Sequence, residues 1–295
     1  MLYSTDGRPA HDAMTTDGFV IIDNLIKPEL LEPLREAAER VIKKARDGEW
    51  KERRFVGTPF PPWNEGTDVW GVQHLLNPEL GEPVFAEWYG SEEMINAVCE
   101  LLEVKPEELQ LELFNMLVNP QDSDFDLPWH RDAIKPKVPA DEERELLKIP
   151  HYGTQWNTAL YDESCLFVVP ASHHRIRTPE ERDITVNDPL CRNMPGQLQV
   201  HLKAGQTVFY NNNILHRAIY YSANKRATLH ASFGSTEGGH YRAANIFQHG
   251  LDWMNEDRFV KTLPPSLETP YKNLQAMSKR AQQEKEQKQP VSASA

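Results

Sequence analysis

The pattern of hydrophobic and polar positions divides the chain into a mainly helical first third and a strand-rich remainder. An apolar run at residues 17–22 predicts a short strand. After Pro28, apolar residues recur at helical spacing from Leu30 to Ile42, with Glu and Arg on the opposite face, and the helix is predicted to end near Asp47-Gly48. Such spacing predicts an amphipathic helix that packs on a sheet. Two shorter helices are predicted at residues 83–89 and Glu92–Leu102.

From Leu109 the spacing changes to the period of two that is typical of half-buried strands. Leu109, Leu111 and Leu113 alternate with polar residues, and this strand continues to Val118. Further short strands are predicted at residues 152–161, 166–169, 198–202, 206–210 and 226–233. Helices first and many short strands later indicate a β-sandwich or jelly roll with a helical buttress.

Three segments depart from these two patterns. Residues 57–71 are rich in proline and glycine, which predicts an ordered loop that lines a pocket or plugs a barrel end. Residues 131–150 are charged and proline-rich, and they predict an excursion that serves either as a lid or as a solvated loop. Residues 278–295 carry charge without hydrophobic periodicity. We therefore expect one domain over residues 1–277, followed by a disordered tail.

Composition and charge narrow the classes of protein. The 295 residues carry 44 acidic and 32 basic side chains, a formal net charge of -12. This balance argues against nucleic acid as a partner, because phosphate backbones are bound by basic surfaces. The three cysteines lack metal-site spacing, and we expect neither a secretory signal nor a membrane-spanning helix. We therefore expect a cytoplasmic protein that contacts neither nucleic acid nor membrane.

The segment around His130 holds the first candidate for chemistry. His130 and Asp132 are two positions apart in a segment whose neighbours are predicted to be extended, so their side chains point to the same side of the chain. An imidazole and a carboxylate directed at one point supply two of the three ligands that hold non-heme Fe(II). The alternative is a surface His-x-Asp pair without a third ligand.

A third ligand and an anion-binding group both occur further along the chain. His216 follows a polar turn at residues 211–213, where it either completes a metal site or caps a strand end. Arg226 opens an alternating strand, and an inward-facing guanidinium needs a negative partner because an uncompensated buried charge is costly. That partner is either the carboxylate of a ligand, held by two parallel hydrogen bonds, or an acidic side chain of the protein.

In combination these motifs resemble the phytanoyl-CoA dioxygenase family of Fe(II)- and 2-oxoglutarate-dependent oxygenases. The resemblance spans about residues 15–250. It rests on Asp17-Gly-Phe-Val-Ile-Ile-Asp-Asn-Leu, His130-Arg-Asp132, Ser164-Cys-Leu-Phe-Val-Val-Pro-Ala-Ser-His173, His216 and Arg226. Ser164 and Ala171 depart from the family's pattern, in which glycine is usual, and these two positions concern turn geometry rather than the metal.

The resemblance implies a mainly β fold with a helical buttress, namely the double-stranded β-helix of jelly-roll or cupin type. It implies that His130, Asp132 and His216 are the catalytic ligands of Fe(II). It also implies that 2-oxoglutarate is the co-substrate and that O2 is the oxidant.

The same resemblance assigns residues to the co-substrate. Arg226 would hold the distal carboxylate of 2-oxoglutarate. Asn157 stands where the family has a residue that lines the co-substrate. Thr228 is a further candidate, because it lies two positions from Arg226 and therefore on the same face of a strand.

The implied activity is the oxidation of a small-molecule substrate with release of succinate and CO2. Hydroxylation is the default, while desaturation, epoxidation, rearrangement and endoperoxidation stay open. Phe60, Trp63, Trp70 and Ile134 lie in segments predicted to form the pocket rim, and they indicate an apolar, natural-product-like substrate. The alternatives are a catalytically silent barrel that binds a ligand or a partner subunit, and a cupin-like enzyme that uses no 2-oxoglutarate. The oligomeric state, a homodimer included, also stays open.

Overall fold

A computed structural model describes residues 1–60, 66–150, 152–238 and 251–288. The strands are β1 (Phe19–Ile22), β2 (Arg53–Phe55), β3 (Val69–Val72), β4 (Leu109–Val118), β5 (Phe125–Asp126), β6 (Gly153–Ala159), β7 (Leu166–Val169), β8 (Leu198–Gln199), β9 (Thr207–Tyr210), β10 (Leu215–Tyr220) and β11 (Ala227–Ser235). The helices are α1 (Ala10–Asp17), α2 (Pro28–Arg46), α3 (Val84–Tyr89), α4 (Glu92–Leu102), α5 (Ala140–Leu146), α6 (Pro179–Asn187), α7 (Asp257–Val260) and α8 (Pro265–Lys288). Within these described ranges, every helix is too short or too polar to cross a membrane.

Two antiparallel sheets face each other and form the barrel. The larger sheet has the strand order β1-β9-β6-β11-β4-β3-β2, and the smaller has the order β5-β10-β7-β8. Side chains of both sheets pack in shared clusters between them, for example Leu166 and Val168 of β7 with Val208 of β9. This arrangement agrees with the predicted jelly-roll type of fold.

Helices cover the outer face of the larger sheet. On β11, Leu229, Ala231 and Phe233 are buried in a hydrophobic cluster that also contains Leu34 and Val41 of α2. The apolar residues of α2 lie in this cluster and its charged residues face outward, which confirms the predicted amphipathic helix. The same cluster fixes which face of β11 points into the barrel.

The inner face of the larger sheet carries a polar patch on β6 and β11, next to the apolar cluster around Val208. Residues that pair directly across antiparallel strands point to the same face of the sheet. Gln155 of β6 pairs with Tyr210 on one side and Ser232 on the other, and Asn157 pairs with His230. The strands that bury apolar side chains against the helices therefore present a polar wall to the interior of the barrel.

The charged excursion after Asp132 is anchored by a buried ion cluster. Helix α5 buries Glu143 completely, and its Oε1 lies 2.9 Å from Arg177 Nε and 3.3 Å from Arg131 Nε. Arg182 also donates to this carboxylate. Charges buried in this way persist only when they are paired. This part of the excursion is thus a helix anchored by one buried carboxylate, while most of its other side chains are exposed.

The C-terminal helix α8 extends beyond the predicted end of the domain at residue 277. It continues to Lys288 and buries Met277 and Ala281 on one edge. Two apolar residues four positions apart share a helix face, so a largely polar segment can still hold one buried edge. Residues 278–288 are thus helical in the structure, while the boundary of the domain at residue 277 stays a prediction. Residues 289–295 lie outside the described part of the chain.

Candidate metal centre

Three side chains from separate parts of the chain converge at one end of the barrel. His130, Asp132 and His216 each place one potential ligand atom within 4.8 Å of the others. Asp132 Oδ1 is 3.4 Å from His130 Nε2 and 3.7 Å from His216 Nε2, and the two imidazole centroids are 4.3 Å apart. Two nitrogens and a carboxylate oxygen that face a common point are typical of non-heme Fe(II) sites.

Main-chain hydrogen bonds hold the two histidines beside each other. His130 N donates to His216 O at 3.0 Å, and His216 N donates to His130 O at 3.1 Å, so the residues form an antiparallel bridge. Their Nδ1 atoms lie 2.7 Å from Pro128 O and 2.9 Å from Ile214 O, respectively. A ring whose Nδ1–H donates to a carbonyl presents an unprotonated Nε2, which is the form that binds a metal.

The electrostatics of the cluster favour the protonation states of a metal site. The side chain of Asp132 is 34% exposed, and the rest of it is covered by its neighbours in the barrel. Burial acts to raise the pKa of Asp132, but His216, His130 and Gln155 lower it below its ordinary value; Gln155 Nε2 donates to Oδ2 at 2.5 Å. Burial and the neighbouring His130 lower the pKa of His216 to about 4. An ionised carboxylate and an unprotonated imidazole therefore coexist at neutral pH, as metal binding requires.

The residues next to the ligands connect them to the barrel wall. Trp129 is fully buried, and its Nε1 donates to Cys191 O at 2.8 Å. Arg131 points away from the cluster, as the alternation predicts, and Nη1 donates to Ser172 O at 2.9 Å. Its ion pair with Glu143 continues into the buried charges of α5. Each ligand of the His-x-Asp motif thus has a rigidly held neighbour.

Arg226 lies in the barrel interior with part of its hydrogen-bonding capacity unused. Its Nε donates to Glu163 Oε2 at 2.5 Å and to Thr228 Oγ1 at 3.0 Å, and its guanidinium carbon is 4.4 Å from the centre of the Tyr220 ring. Nη1 and Nη2 are buried and lack a hydrogen-bond partner among the described residues. Burial acts to lower the pKa of Arg226, but Cys165, Glu163 and Tyr220 raise it above its ordinary value. The acidic partner considered as an alternative is therefore present, and it contacts the guanidinium at Nε.

Asn157 and Thr228, the other two predicted residues, lie on the inner face and are engaged within the protein. Asn157 Oδ1 is 2.8 Å from His230 Nδ1, and Thr228 Oγ1 accepts the hydrogen bond from Arg226. The pKa of His230 is lowered to about 3, chiefly by burial, so this imidazole is neutral at physiological pH. The contacts of Asn157 and Thr228 are therefore protein contacts, and their roles toward a co-substrate stay predictions.

Gln155 and Tyr220 are candidates that the sequence analysis missed. Gln155 orients a ligand carboxylate, and Tyr220 packs against the buried guanidinium. The period of two contains the signal for both, since Gln155 lies two positions from Asn157 and Tyr220 lies four positions from His216 on predicted or observed strands. A polar residue that shares a strand face with a candidate ligand is therefore a candidate for the site as well.

Of the four residues expected at the pocket rim, one lies beside the metal candidates. Phe60 is 45% exposed, and its ring centroid is 5.0 Å from that of His130. Trp70 belongs to β3 and is buried, and Ile134 is buried as well. Trp63 lies outside the described residues. The structural support for an apolar substrate is therefore reduced to Phe60.

Comparison with protein families gives one match. The family model described as phytanoyl-CoA dioxygenase (PhyH) matches residues 14–226. The matched region contains His130, Asp132 and His216 and ends at Arg226. A search of curated proteins finds no match to this sequence.

Solved structures share the fold. AviO1 from Streptomyces viridochromogenes Tue57 has a TM-score of 0.56 and 17% identity, covering 77% of this chain and 93% of that one. The epimerase SnoN, in complex with Fe3+, alpha ketoglutarate and nogalamycin RO, has a TM-score of 0.52 and 17% identity, and the match covers 77% of this chain and 82% of that one. EctD from S. alaskensis, with 2-oxoglutarate and 5-hydroxyectoine, has a TM-score of 0.54 and 15% identity, and the match covers 77% of this chain and 75% of that one. Similarity at this level establishes the fold, and it confirms the predicted double-stranded β-helix.

Proposed function

This chain belongs to the phytanoyl-CoA dioxygenase family of Fe(II)- and 2-oxoglutarate-dependent oxygenases, and we propose that it oxidises a small molecule at a centre formed by His130, Asp132 and His216. The observation that carries this proposal is the convergence of two Nε2 atoms and one carboxylate oxygen on a single point. Such a set of donors suits Fe(II), and three protein donors would leave coordination positions for further ligands.

Arg226 is the proposed partner of the distal carboxylate of 2-oxoglutarate. A buried guanidinium with an unused Nη1–Nη2 edge matches a carboxylate in bidentate geometry. Glu163 and Thr228 both engage Nε, so the guanidinium is held in place before a ligand binds. Asn157, which holds His230, is proposed to line the same chamber.

The chain's own residues orient the reactants. When bound, iron and 2-oxoglutarate supply the oxidation of a substrate C–H bond by O2, with release of succinate and CO2. Gln155 holds Oδ2 of Asp132 and thereby leaves Oδ1 directed at the two histidines. The carbonyls of Pro128 and Ile214 hold the imidazole rings through their Nδ1 atoms. The donor geometry is therefore set by protein contacts that do not depend on the substrate.

We propose a small, natural-product-like substrate that carries hydrogen-bonding groups. The polar inner wall, with Gln155, Asn157 and His230, supports this refinement of the apolar expectation, while Phe60 supplies an apolar contact beside His130. The SnoN complex contains nogalamycin RO, which supports a natural-product scaffold as the class. Hydroxylation is the proposed reaction, and desaturation, epoxidation, rearrangement or endoperoxidation would use the same centre.

Succinate formation tests the proposal directly. Purified protein with Fe(II), ascorbate and 2-oxoglutarate is expected to form succinate slowly without a substrate, as measured by mass spectrometry. Asp132→Ala removes the only carboxylate among the three candidate ligands and is expected to abolish this turnover. Succinate formation by Asp132→Ala at the wild-type rate would contradict the assignment.

A catalytically silent, ligand-binding barrel is the second candidate function. The ion pair between Glu163 and Arg226 favours it, because an internal carboxylate already occupies part of the guanidinium. This alternative predicts that neither iron nor manganese is retained and that 2-oxoglutarate does not bind. Calorimetry with Mn(II) and 2-oxoglutarate separates the two candidates.

A further inference from the structure

Arg131 lies between two of the candidate metal ligands, and its side chain joins three segments of the chain. The residue is 4% exposed, and its guanidinium points away from the metal candidates. Nη1 donates to Ser172 O at 2.9 Å and also to Asn213 O, while Nη2 donates to Arg175 O at 2.9 Å. A planar guanidinium can bond carbonyls in several directions at once, which a lysine ammonium cannot match. Arg131 thus ties the His-x-Asp segment to two others.

One of those segments is the turn before His216, the third candidate ligand. Asn213 belongs to this turn, and Asp132 N donates to the carbonyl of the neighbouring Asn212 at 2.9 Å. The side chain of Arg131 and the main chain of Asp132 therefore contact the same turn. Together with the main-chain bridge of the two histidines, these bonds attach the two ligand segments at more than one place.

The other segment begins at Ser172 and reaches the same histidine by a second route. Ser172 is fully buried; its main-chain oxygen accepts from Arg131, and its hydroxyl oxygen accepts from Leu215 N at 2.8 Å. Leu215 directly precedes His216 in β10. Because a buried main-chain amide needs an acceptor, this contact fixes the main chain beside the ligand. Arg131 and Ser172, which we call the clamp, therefore hold both ligand segments.

Glu143 supplies the counter-charge of the clamp. Its Oε1 lies 3.3 Å from Arg131 Nε, while Nη1 and Nη2 bond the three main-chain carbonyls. A buried guanidinium without a counter-charge would be costly, so this carboxylate allows an arginine to lie between two metal ligands. Glu143 belongs to α5, in the excursion that follows Asp132. The excursion thus stabilises the one residue that lies inside the His-x-Asp motif.

We propose that Arg131 is a positioning residue for the metal centre, and that it fixes the His-x-Asp segment relative to His216 through Asn213 and Ser172. This inference rests on the proposed function and deepens it. Gln155 holds a ligand side chain directly, whereas Arg131 acts on the main chain of the segments that carry the ligands. Residues that hold metal ligands in place typically contribute about 10–100-fold in metal affinity.

Mn(II) binding to Arg131→Lys, measured by calorimetry without 2-oxoglutarate, tests the role of Arg131. Lysine keeps a positive charge near Glu143 but cannot bond all three carbonyls in the geometry of the guanidinium. We expect the affinity for Mn(II) to fall about tenfold. The electron paramagnetic resonance spectrum of the bound Mn(II), which depends on the geometry of its donors, is expected to change as well.

A second variant and a matched control complete the test. Ser172→Ala removes only the hydroxyl contact to Leu215 N and should weaken Mn(II) binding by a smaller factor, so it decides the test if Arg131→Lys does not fold. Arg177 is also 4% exposed and pairs with Glu143, but its Nη1 donates to Pro136 O and Thr185 Oγ1. Arg177→Lys should therefore lose stability in urea unfolding, as Arg131→Lys does, and bind Mn(II) with wild-type affinity.

The outcomes separate this inference from the function on which it rests. If the wild-type protein does not bind Mn(II), the proposed function fails and the inference falls with it. If the wild-type protein binds Mn(II) and the clamp variants bind it equally well, the inference alone is overturned. Equal losses of Mn(II) affinity in Arg131→Lys and Arg177→Lys also overturn it, because the buried charges would then act through the stability of the barrel rather than through the ligand segments.

Discussion

Glu143 shows at the scale of a residue how the metal-binding end of the barrel is stabilised. This one carboxylate is fully buried and is shared by three arginines, among them Arg131. Removing it leaves buried positive charges without a counter-charge, so we expect Glu143→Ala to lower the free energy of unfolding by about 3–5 kcal/mol. Urea unfolding at neutral pH measures the loss. Glu145→Ala on the same helix removes only an exposed pair with Lys148 and should cost less than ~1 kcal/mol; equal losses would contradict the prediction.

Gln155 is the residue whose loss should affect the metal without affecting the fold. Its Nε2 holds Oδ2 of Asp132, and contacts of this kind typically contribute about 10–100-fold in metal affinity. We expect Gln155→Ala to weaken Mn(II) binding by that factor in calorimetry. Gln206→Ala, which removes a similar amide contact to the exposed Asp23, is the control. Unchanged Mn(II) affinity in Gln155→Ala would rule out the supporting role.

The three candidate metal ligands could be selected from the sequence, but the protein partner of Arg226 could not. His130 and Asp132 are two positions apart, so local geometry alone directs them to one point. Glu163 and Arg226 are 63 positions apart, and the fold alone brings them into contact. The sequence indicated that Arg226 needs an anion, but many acidic residues could have met that need.

Among the elements, the strands of the larger sheet were predictable where their two faces differ. On β11, helices cover one face and the polar part of the barrel interior lies on the other. Apolar and polar residues therefore alternate along this strand. The short strand β3 is buried on both faces and contains Gly71, so it lacks alternation, and the sequence predicts a loop at this position. Helix α5 was missed because one buried Glu within an acidic run gives no local signal of burial.

Helix α6 begins with a capping box that contains a titratable carboxyl group. Thr178 Oγ1 accepts from Glu181 N at 3.2 Å, and Glu181 Oε2 accepts from Thr178 N at 2.7 Å. Arg175 donates to both carboxylate oxygens of Glu181. Burial acts to raise the pKa of Glu181, but Arg175 and the Thr178 amide lower it below its ordinary value. A carboxyl group with a lowered folded-state pKa adds stability above its unfolded pKa and loses that stability as the pH falls through the folded value.

We therefore expect Glu181→Gln to be less stable than the wild type at neutral pH. The difference should close as the pH falls below about 4.3, the ordinary pKa of Glu. Urea unfolding at a series of pH values measures this difference. Asp141→Asn, which removes an exposed pair with Arg144, should follow the wild-type pH profile. A constant difference between Glu181→Gln and the wild type at all pH values would contradict the role of this charge.

At the scale of the whole molecule, the site lies between the two sheets, so ligands should stabilise the entire barrel. A ligand that binds only the folded state at 100 times its Kd adds about 2.7 kcal/mol. We expect Mn(II) with 2-oxoglutarate to raise the Tm of the wild-type protein and a chelator to reverse the change. Asp132→Ala should not respond to the metal. An equal rise in Tm for Asp132→Ala would indicate that Mn(II) binds elsewhere.

The reciprocal main-chain bridge between His130 and His216 means that the geometry of the centre is encoded in the backbone. Its two hydrogen bonds join main-chain atoms only, so the positions of the two imidazoles are set by the backbone of the two segments. The side chains at these two positions are separable from the scaffold that presents them. Other donor sets could therefore be grafted onto the same pair of segments, and the barrel would serve as a template for centres with different metals.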